Sequence, residues 1–320
     1  SRWLYMAGIA LVVLLVLVTV LVWPRAATRS AGRPRVVAVG RIAHYGREGA
    51  GPLGQPLADM LATDLARVGE VRVISHARMV EVMRQLGNGA DSLGASAAVA
   101  RQAGATELVD GVLYDVAPGV LRLDLRRVDL ASGSVLEPYT VQGPDLFALA
   151  DSGTSRLAGD LGGTRPAESL AQVSTRSLAA YQLYEQGLRT FYGGARAQAE
   201  RLFGRALAED SAFTMAAFFY ALSTTDGSRA EFFSRLSRAT ALADGASDRE
   251  RLLIRATWAF TNSSPALRAF ADTLTVRYPA ELEGHLMAGQ AAILAGEYDR
   301  AHSPLRRVIV QDSLGLAGRS

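Results

Sequence analysis

Cysteine is absent from the 320-residue chain, which removes disulfide frameworks, thiolate nucleophiles, cysteine-bound zinc and iron–sulfur clusters together. Lysine is absent as well, because all 34 basic residues are arginine. A phosphate-loop lysine and Schiff-base chemistry are thereby excluded. Histidine is scarce: His44, His76, His285 and His302 are scattered, without the helical spacing that presents two imidazoles to one metal. The expectation is therefore no catalytic residue, no cofactor and no metal. The arginines are spread among 31 acidic residues for a net charge of +3, so no basic stripe marks a nucleic-acid surface. Glycine (31) and proline (11) stand near ordinary usage, which excludes collagen-like and low-complexity classes.

What the chain does contain is one long apolar run. Trp3–Trp23 carry no charge over 21 positions, enough at about 1.5 Å per residue to cross a hydrocarbon core about 30 Å thick. Trp3, Tyr5 and Trp23 stand near its ends, where amphipathic rings favour the headgroup level, and Pro24 stops a helix. Residues 1–24 are expected to form a retained transmembrane anchor, followed by a polar linker over 25–34. Four arginines follow the run (Arg25, Arg29, Arg33, Arg35) and one precedes it (Arg2). The positive-inside rule reads that asymmetry as a cytoplasmic domain, but long domains translocate largely regardless of flanking charge.

From residue 35 the pattern alternates between the two periods of regular structure. Val36, Val37 and Val39 make a β-branched strand, and Leu57, Met60, Leu61 and Leu65 recur at helical spacing. A second strand is read at 71–75 and helices at 76–86 and 92–105. A meander follows through 107–116 and 120–130, turning at Ala117–Pro118–Gly119 and again at Ser132–Gly133. A helix from Asp145 to Leu161 closes the unit. The order βαβααβββα reads as an α/β sandwich over residues 35–163. Gly49, Gly51 and Gly54 spell G-x-G-x-x-G, but the first glycine does not follow its strand directly and no acid lies near residue 74, so a loop is preferred to a dinucleotide site. His76 and Asp124 do not read as an acid–base pair, because nothing else converges on them.

After a linker over 164–174 the chain is helical throughout. Leu183, Gly187, Ala199, Phe203 and Ala206 follow the small-and-large pattern of a helical-hairpin repeat, and Gly289, Gly296, Tyr298, Ala301 and Leu305 follow it again. Gly187 and Gly289 are 102 residues apart, three periods of about 34. The register is lost over 211–280, which is read as two divergent repeats.

These residues resemble a known arrangement. The runs ADML and LARVGEVRVIS (58–75), ARQAGATELVDGVL (100–113), LRLDLRRVDLASGSVL (121–136) and DLFALAD (145–151) are similar to the TolB amino-terminal-like domain, and 175–320 resembles tetratricopeptide repeats. Asp110 stands where that domain would have a small or neutral residue. The resemblance implies a multidomain fold: one transmembrane helix, an α/β sandwich and an all-α repeat solenoid. It also implies a bacterial inner-membrane protein with one span and periplasmic soluble domains. The function expected is that of a non-catalytic, membrane-anchored scaffold within a larger membrane complex, for instance of photosynthetic or respiratory type. Its partners would be proteins, met through the groove and the membrane helix, together with membrane lipid; nucleic acid is not among them. The alternative is the extracytoplasmic sensor portion of a kinase or transcriptional regulator. Counting from Gly187, the inner face of the first repeat carries Tyr181, Tyr184, Leu188, Phe191 and Tyr192. Those residues either line a partner groove or pack on the helix Asp145–Leu161.

Overall fold

The computed structural model describes residues 35–311 apart from 47–52, 69–70, 75–78, 80–81, 84–92, 165, 167, 226–227 and 280–281. Five strands, β1 (Val36–Tyr45), β2 (Arg72–Val73), β3 (Glu107–Ala117), β4 (Val120–Asp129) and β5 (Val135–Gly143), form one sheet in the order β2-β1-β3-β4-β5. β1 runs parallel to β2 and β3, whereas β3, β4 and β5 make an antiparallel meander. Successive side chains on a strand face opposite sides, so Val37 joins the larger core on one face and Ala38 a smaller core on the other. The first face is covered by α1 (Gly54–Ala66) and α3 (Leu146–Leu161), through Leu57, Leu61, Leu149 and Leu157. The second is covered by α2 (Leu93–Gln102), through Val99 and Ala100. Of the helix expected over 76–86, residues 79, 82 and 83 are described, and they are helical.

Asp110 has a physical account. It lies directly opposite Arg126 in the β3–β4 ladder, and Arg126 donates to both its carboxylate oxygens at 2.5 and 3.1 Å. A two-pronged guanidinium contact of this kind compensates an acid buried in the sheet.

A short helix α4 (Leu170–Val173) leads into four helical hairpins: α5 (Leu178–Tyr192) with α6 (Arg196–Glu209), α7 (Thr214–Leu222) with α8 (Arg229–Leu242), α9 (Asp248–Thr261) with α10 (Ala266–Arg277), and α11 (Leu282–Leu294) with α12 (Tyr298–Gln311). Serine caps open three of these helices, at Ser177, Ser228 and Ser247. Each accepts a backbone N–H that the helix leaves unpaired. In the first hairpin Gly187 lies against the Phe203 ring, and in the fourth Gly289 lies against Leu305. A side chain at either glycine would hold the two helices apart. The described part of Val36–Ser320 forms one compact unit, and the larger core runs without a break from Val37 in the sheet to Ile254 in α9.

One expectation is corrected here. Among the described residues no helix is long and apolar enough to cross a membrane; the longest, α3, has 16 residues, against the roughly 20 that a bilayer core needs. The transmembrane component of the expected fold class, and the single-pass inner-membrane placement that went with it, are therefore not borne out among the described residues. Trp3, Tyr5 and Trp23, on which that expectation rested, lie outside the described residues. The fold is a mixed α/β sheet followed by a helical region.

Candidate functional site

The five first-repeat residues do share one face of α5, but most of that face is turned inward. Tyr181 is 1% exposed. Its ring meets Phe147 of α3 edge-on, with centroids 6.0 Å apart, and its hydroxyl donates to Thr63 Oγ1 of α1 at 3.3 Å. Tyr184 is buried among Phe203, Phe213 and Phe219, and Phe191 is buried against Phe219. Leu188 and Tyr192 remain half-buried. Tyr181 thus packs on the helix that closes the α/β layer, while Tyr184 and Phe191 seed the contact between the first two hairpins. Burial raises the hydroxyl pKa of both Tyr181 and Tyr184, and Glu185 beside them acts in the same direction.

A charged contact joins the same two regions. Arg189 of α5 donates to Asp59 Oδ2 of α1 at 2.9 Å, and Gln55 donates to Oδ1 at 2.9 Å. Asp59 is only 3% exposed, so this contact sets how α5 seats on α1. Beside it lies a cleft of about 250 Å³ lined by Thr63, Val73, Tyr184, Leu188, Tyr192 and Leu253.

The larger opening in the helical region is a groove of about 410 Å³. Tyr192 contributes from α5, Phe218, Phe219 and Leu222 from α7, Phe232 from α8, Leu253 and Phe260 from α9, and Leu286 and Met287 from α11. All four hairpins therefore supply part of one surface. Tyr192, Phe219 and Leu253 also line the smaller cleft, which makes the two openings neighbours. Three charged residues line the groove: Arg196 opens α6, Arg229 opens α8 and Glu283 lies in the first turn of α11. The Arg196 guanidinium lies 5.1 Å from the Phe191 ring centroid and donates to the Leu222 carbonyl at 3.2 Å. The Arg229 guanidinium lies 5.4 Å from the Phe233 centroid.

The polar groups elsewhere have structural partners. His44 Nε2 lies 3.3 Å from Asp115 Oδ1, and its Nδ1 accepts the Leu53 N–H at 3.4 Å. His285 Nε2 donates to the Pro279 carbonyl at 3.0 Å. Asp124 accepts from Arg122 and Thr140, whereas His76 lies outside the described residues. Asp64 has its pKa raised by burial, against the opposing pull of Arg67 at 2.6 Å and of Thr154. Among the described residues no three His, Asp or Glu side chains are grouped to hold a metal. Of the glycine motif, Gly49 and Gly51 lie outside the described residues. Gly54 begins α1 where a Cβ would fall 1.9 Å from the Ile42 carbonyl oxygen, so that glycine lets α1 approach β1.

The groove residues of hairpins two and three were not marked by repeat counting, which loses its register there. A different signal was present. Thr214–Leu222, TMAAFFYAL, is apolar all round, the mark of a helix with neighbours on every side.

No family model matches the chain, and no curated protein matches it. Among solved structures it is similar to the LpoB C-terminal domain from Salmonella enterica, at 14% identity over 37% of this chain and 89% of that one, with a TM-score of 0.31. It is similar to the PelC dodecamer from Paraburkholderia phytofirmans, at 18% identity over 42% of this chain and 89% of that one, with a TM-score of 0.26. TolB from Acinetobacter baumannii is a third, at 18% identity over 40% of this chain and 29% of that one, with a TM-score of 0.25. At TM-scores this low the likenesses establish neither a family nor an activity.

Proposed function

We propose that the chain is a non-catalytic protein-interaction module whose helical hairpins form a tetratricopeptide-like array and whose groove takes a segment of a protein partner. The observation that carries this reading is the groove itself, an apolar and aromatic surface supplied by all four hairpins. Exposed apolar surface of this kind is usually reserved for binding, and large rings give contact area at low entropic cost. The α/β layer is then the base that fixes the first hairpin, through Tyr181 on Phe147 and Arg189 on Asp59. Chemistry has no part in the proposal, since the titratable groups described above serve the fold.

Site-specific photocrosslinking in the native cell tests it. A benzophenone side chain at Phe260 or Leu222, in the groove, should give the same protein adduct, and one at the exposed Arg205 of α6 should not. Adducts at Arg205 with none from the two groove positions would move the interaction surface elsewhere and refute the reading.

A further inference from the structure

Resting on the groove reading, we infer that the partner segment does not end within the helical hairpins: it continues from the groove across α5 and α1 to the outer edge of β1, as an extended polypeptide with an apolar anchor at each end. Three openings stand in series. The groove and the cleft of about 250 Å³ share Tyr192, Phe219 and Leu253. The cleft in turn shares Asp59, Ala62, Ile74 and Arg189 with a third opening, of about 510 Å³. That opening lies against Val39, Gly40 and Arg41 of β1, between Ala58 of α1 and Val99 of α2. Its walls therefore come from both faces of the sheet.

Strand lengths explain why space is left there. β2 pairs only with Val36 and Val37, whereas β1 runs on to Tyr45. Among the described residues no strand lies beside β1 on that side past Val37. Two residues of β1, Gly40 and Arg41, also stand opposite the single Asp110 of β3, a bulge that bends the strand. A strand edge offers main-chain donors and acceptors to an added strand. Helices on both faces then give its alternating side chains something to meet.

The two ends of this path are apolar and its middle is not. The groove end offers Phe232, Phe260 and Met287, and the β1 end offers Met79, Met83 and Val99. Between them the cleft is walled by Asp59, Glu185, Arg189, Arg249 and Glu250. The described hydrogen bond from Arg189 to the buried Asp59 uses Nη1, and the Arg189 side chain is 32% exposed, which leaves N–H donors for a main-chain carbonyl passing over it. The segment accordingly carries large apolar side chains at its ends and small or polar ones between. Packed helices lie about 10 Å apart, so the path from α9 over α5 and α1 to β1 is roughly 30 Å, or about nine residues of extended chain. A lipid acid would suit the apolar ends but match neither the strand edge nor the charged middle.

Benzophenone side chains placed singly at Phe260, Leu188 and Met83 of the full chain, crosslinked in the native cell and mapped by mass spectrometry, test the path. The expected result is one partner protein at all three positions, with the Phe260 and Met83 adducts about nine residues apart on one segment and the Leu188 adduct between them. Ala62→Trp, which fills the junction of the cleft with the third opening, should abolish the Met83 adduct and leave the Phe260 adduct. Urea denaturation checks that this variant stays folded; if it does not, the adduct map of the parent chain carries the test alone. Phe260 adducts with none at Met83 leave the groove reading standing and overturn the inference. So do Met83 adducts to a lipid, to a different protein, to a second copy of this chain, or to a distant part of the same partner. Absence of any protein adduct at Phe260 overturns the groove reading and the inference with it.

Discussion

Replacing Gly187 by alanine is a test of how the first hairpin closes. The added methyl would meet the Phe203 ring at 2.5, 2.8 and 2.9 Å, at Cε1, Cδ1 and Cζ, about an ångström nearer than carbon atoms pack. The ring has little room to withdraw. Phe203 is fully buried, stacked on Phe219 with centroids 5.6 Å apart and flanked by Tyr184. Forcing a methyl into a filled core costs about 1–3 kcal/mol, while replacing a mid-helix glycine by alanine gains roughly 0.5–1 kcal/mol. The expected result is a net loss of about 1–2 kcal/mol. Gly159 in α3 supplies the control, since a Cβ there meets nothing within 4 Å. Gly159→Ala should raise stability by up to about 1 kcal/mol. Gly289→Ala should repeat the loss, because its Cβ would fall 2.4 Å from Leu305 Cδ2 and 2.5 Å from its Cγ. Urea denaturation followed by circular dichroism reads all three, provided the slope m is unchanged. If Gly187→Ala stabilises as Gly159→Ala does, helix contact is not what keeps the glycine and the reasoning is refuted.

Three further outcomes follow from the contacts. Arg189→Met removes the guanidinium facing the buried Asp59 and should cost about 2 kcal/mol; adding Asp59→Asn should recover part of it, and additive losses in the double-mutant cycle would show that the pair is uncoupled. Tyr181→Ala should lower stability by about 3–5 kcal/mol and Tyr181→Phe by no more than about 1 kcal/mol, since the ring against Phe147 contributes more than the 3.3 Å hydrogen bond; equal losses would contradict that. For Asp248, burial alone would raise the pKa, but the Arg277 and Tyr278 hydrogen bonds outweigh it and hold the carboxyl below its ordinary value near 3.8. The stability this group contributes is therefore present above that value and lost as pH falls through the folded one. Asp248→Asn should melt earlier than the parent at neutral pH, by the equivalent of about 0.5–1 kcal/mol, with the two curves converging in acid; a gap that persists there would refute the assignment.

The sheet was legible because its signal is local. Alternation in 107–116 and 120–130 and the turn at Pro118–Gly119 require only neighbouring residues, and β3 and β4 lie where that pattern puts them. Asp110 looked out of place because its partner, Arg126, is 16 residues away and appears only once the strands are paired. The stripe on α5 was legible as a stripe, but periodicity says that a face is apolar without saying what covers it. Tyr181 meets α1 and α3, more than 25 residues earlier, and no spacing within the repeat encodes that. The groove was hidden for a related reason. Its lining is drawn from all four hairpins, and residues 214–261 keep the aromatic residues while departing from the spacing that would have placed them.

The larger core stops at Ile254, and a separate small core, made of Leu252, Ala256, Ala259, Leu267, Leu274 and Ala291, takes over from there. Regions held by separate cores can open separately. Amide exchange in α10 and α11 should accordingly be set by openings that leave the sheet folded, whereas α5 and α6 should exchange together with the sheet. The same division bears on how such a chain changes over evolutionary time. Hairpins beyond α10 can be gained, lost or replaced without disturbing the packing that joins α5 to the sheet, so the far wall of the groove is free to diverge while its near wall is held fixed by the core beneath it.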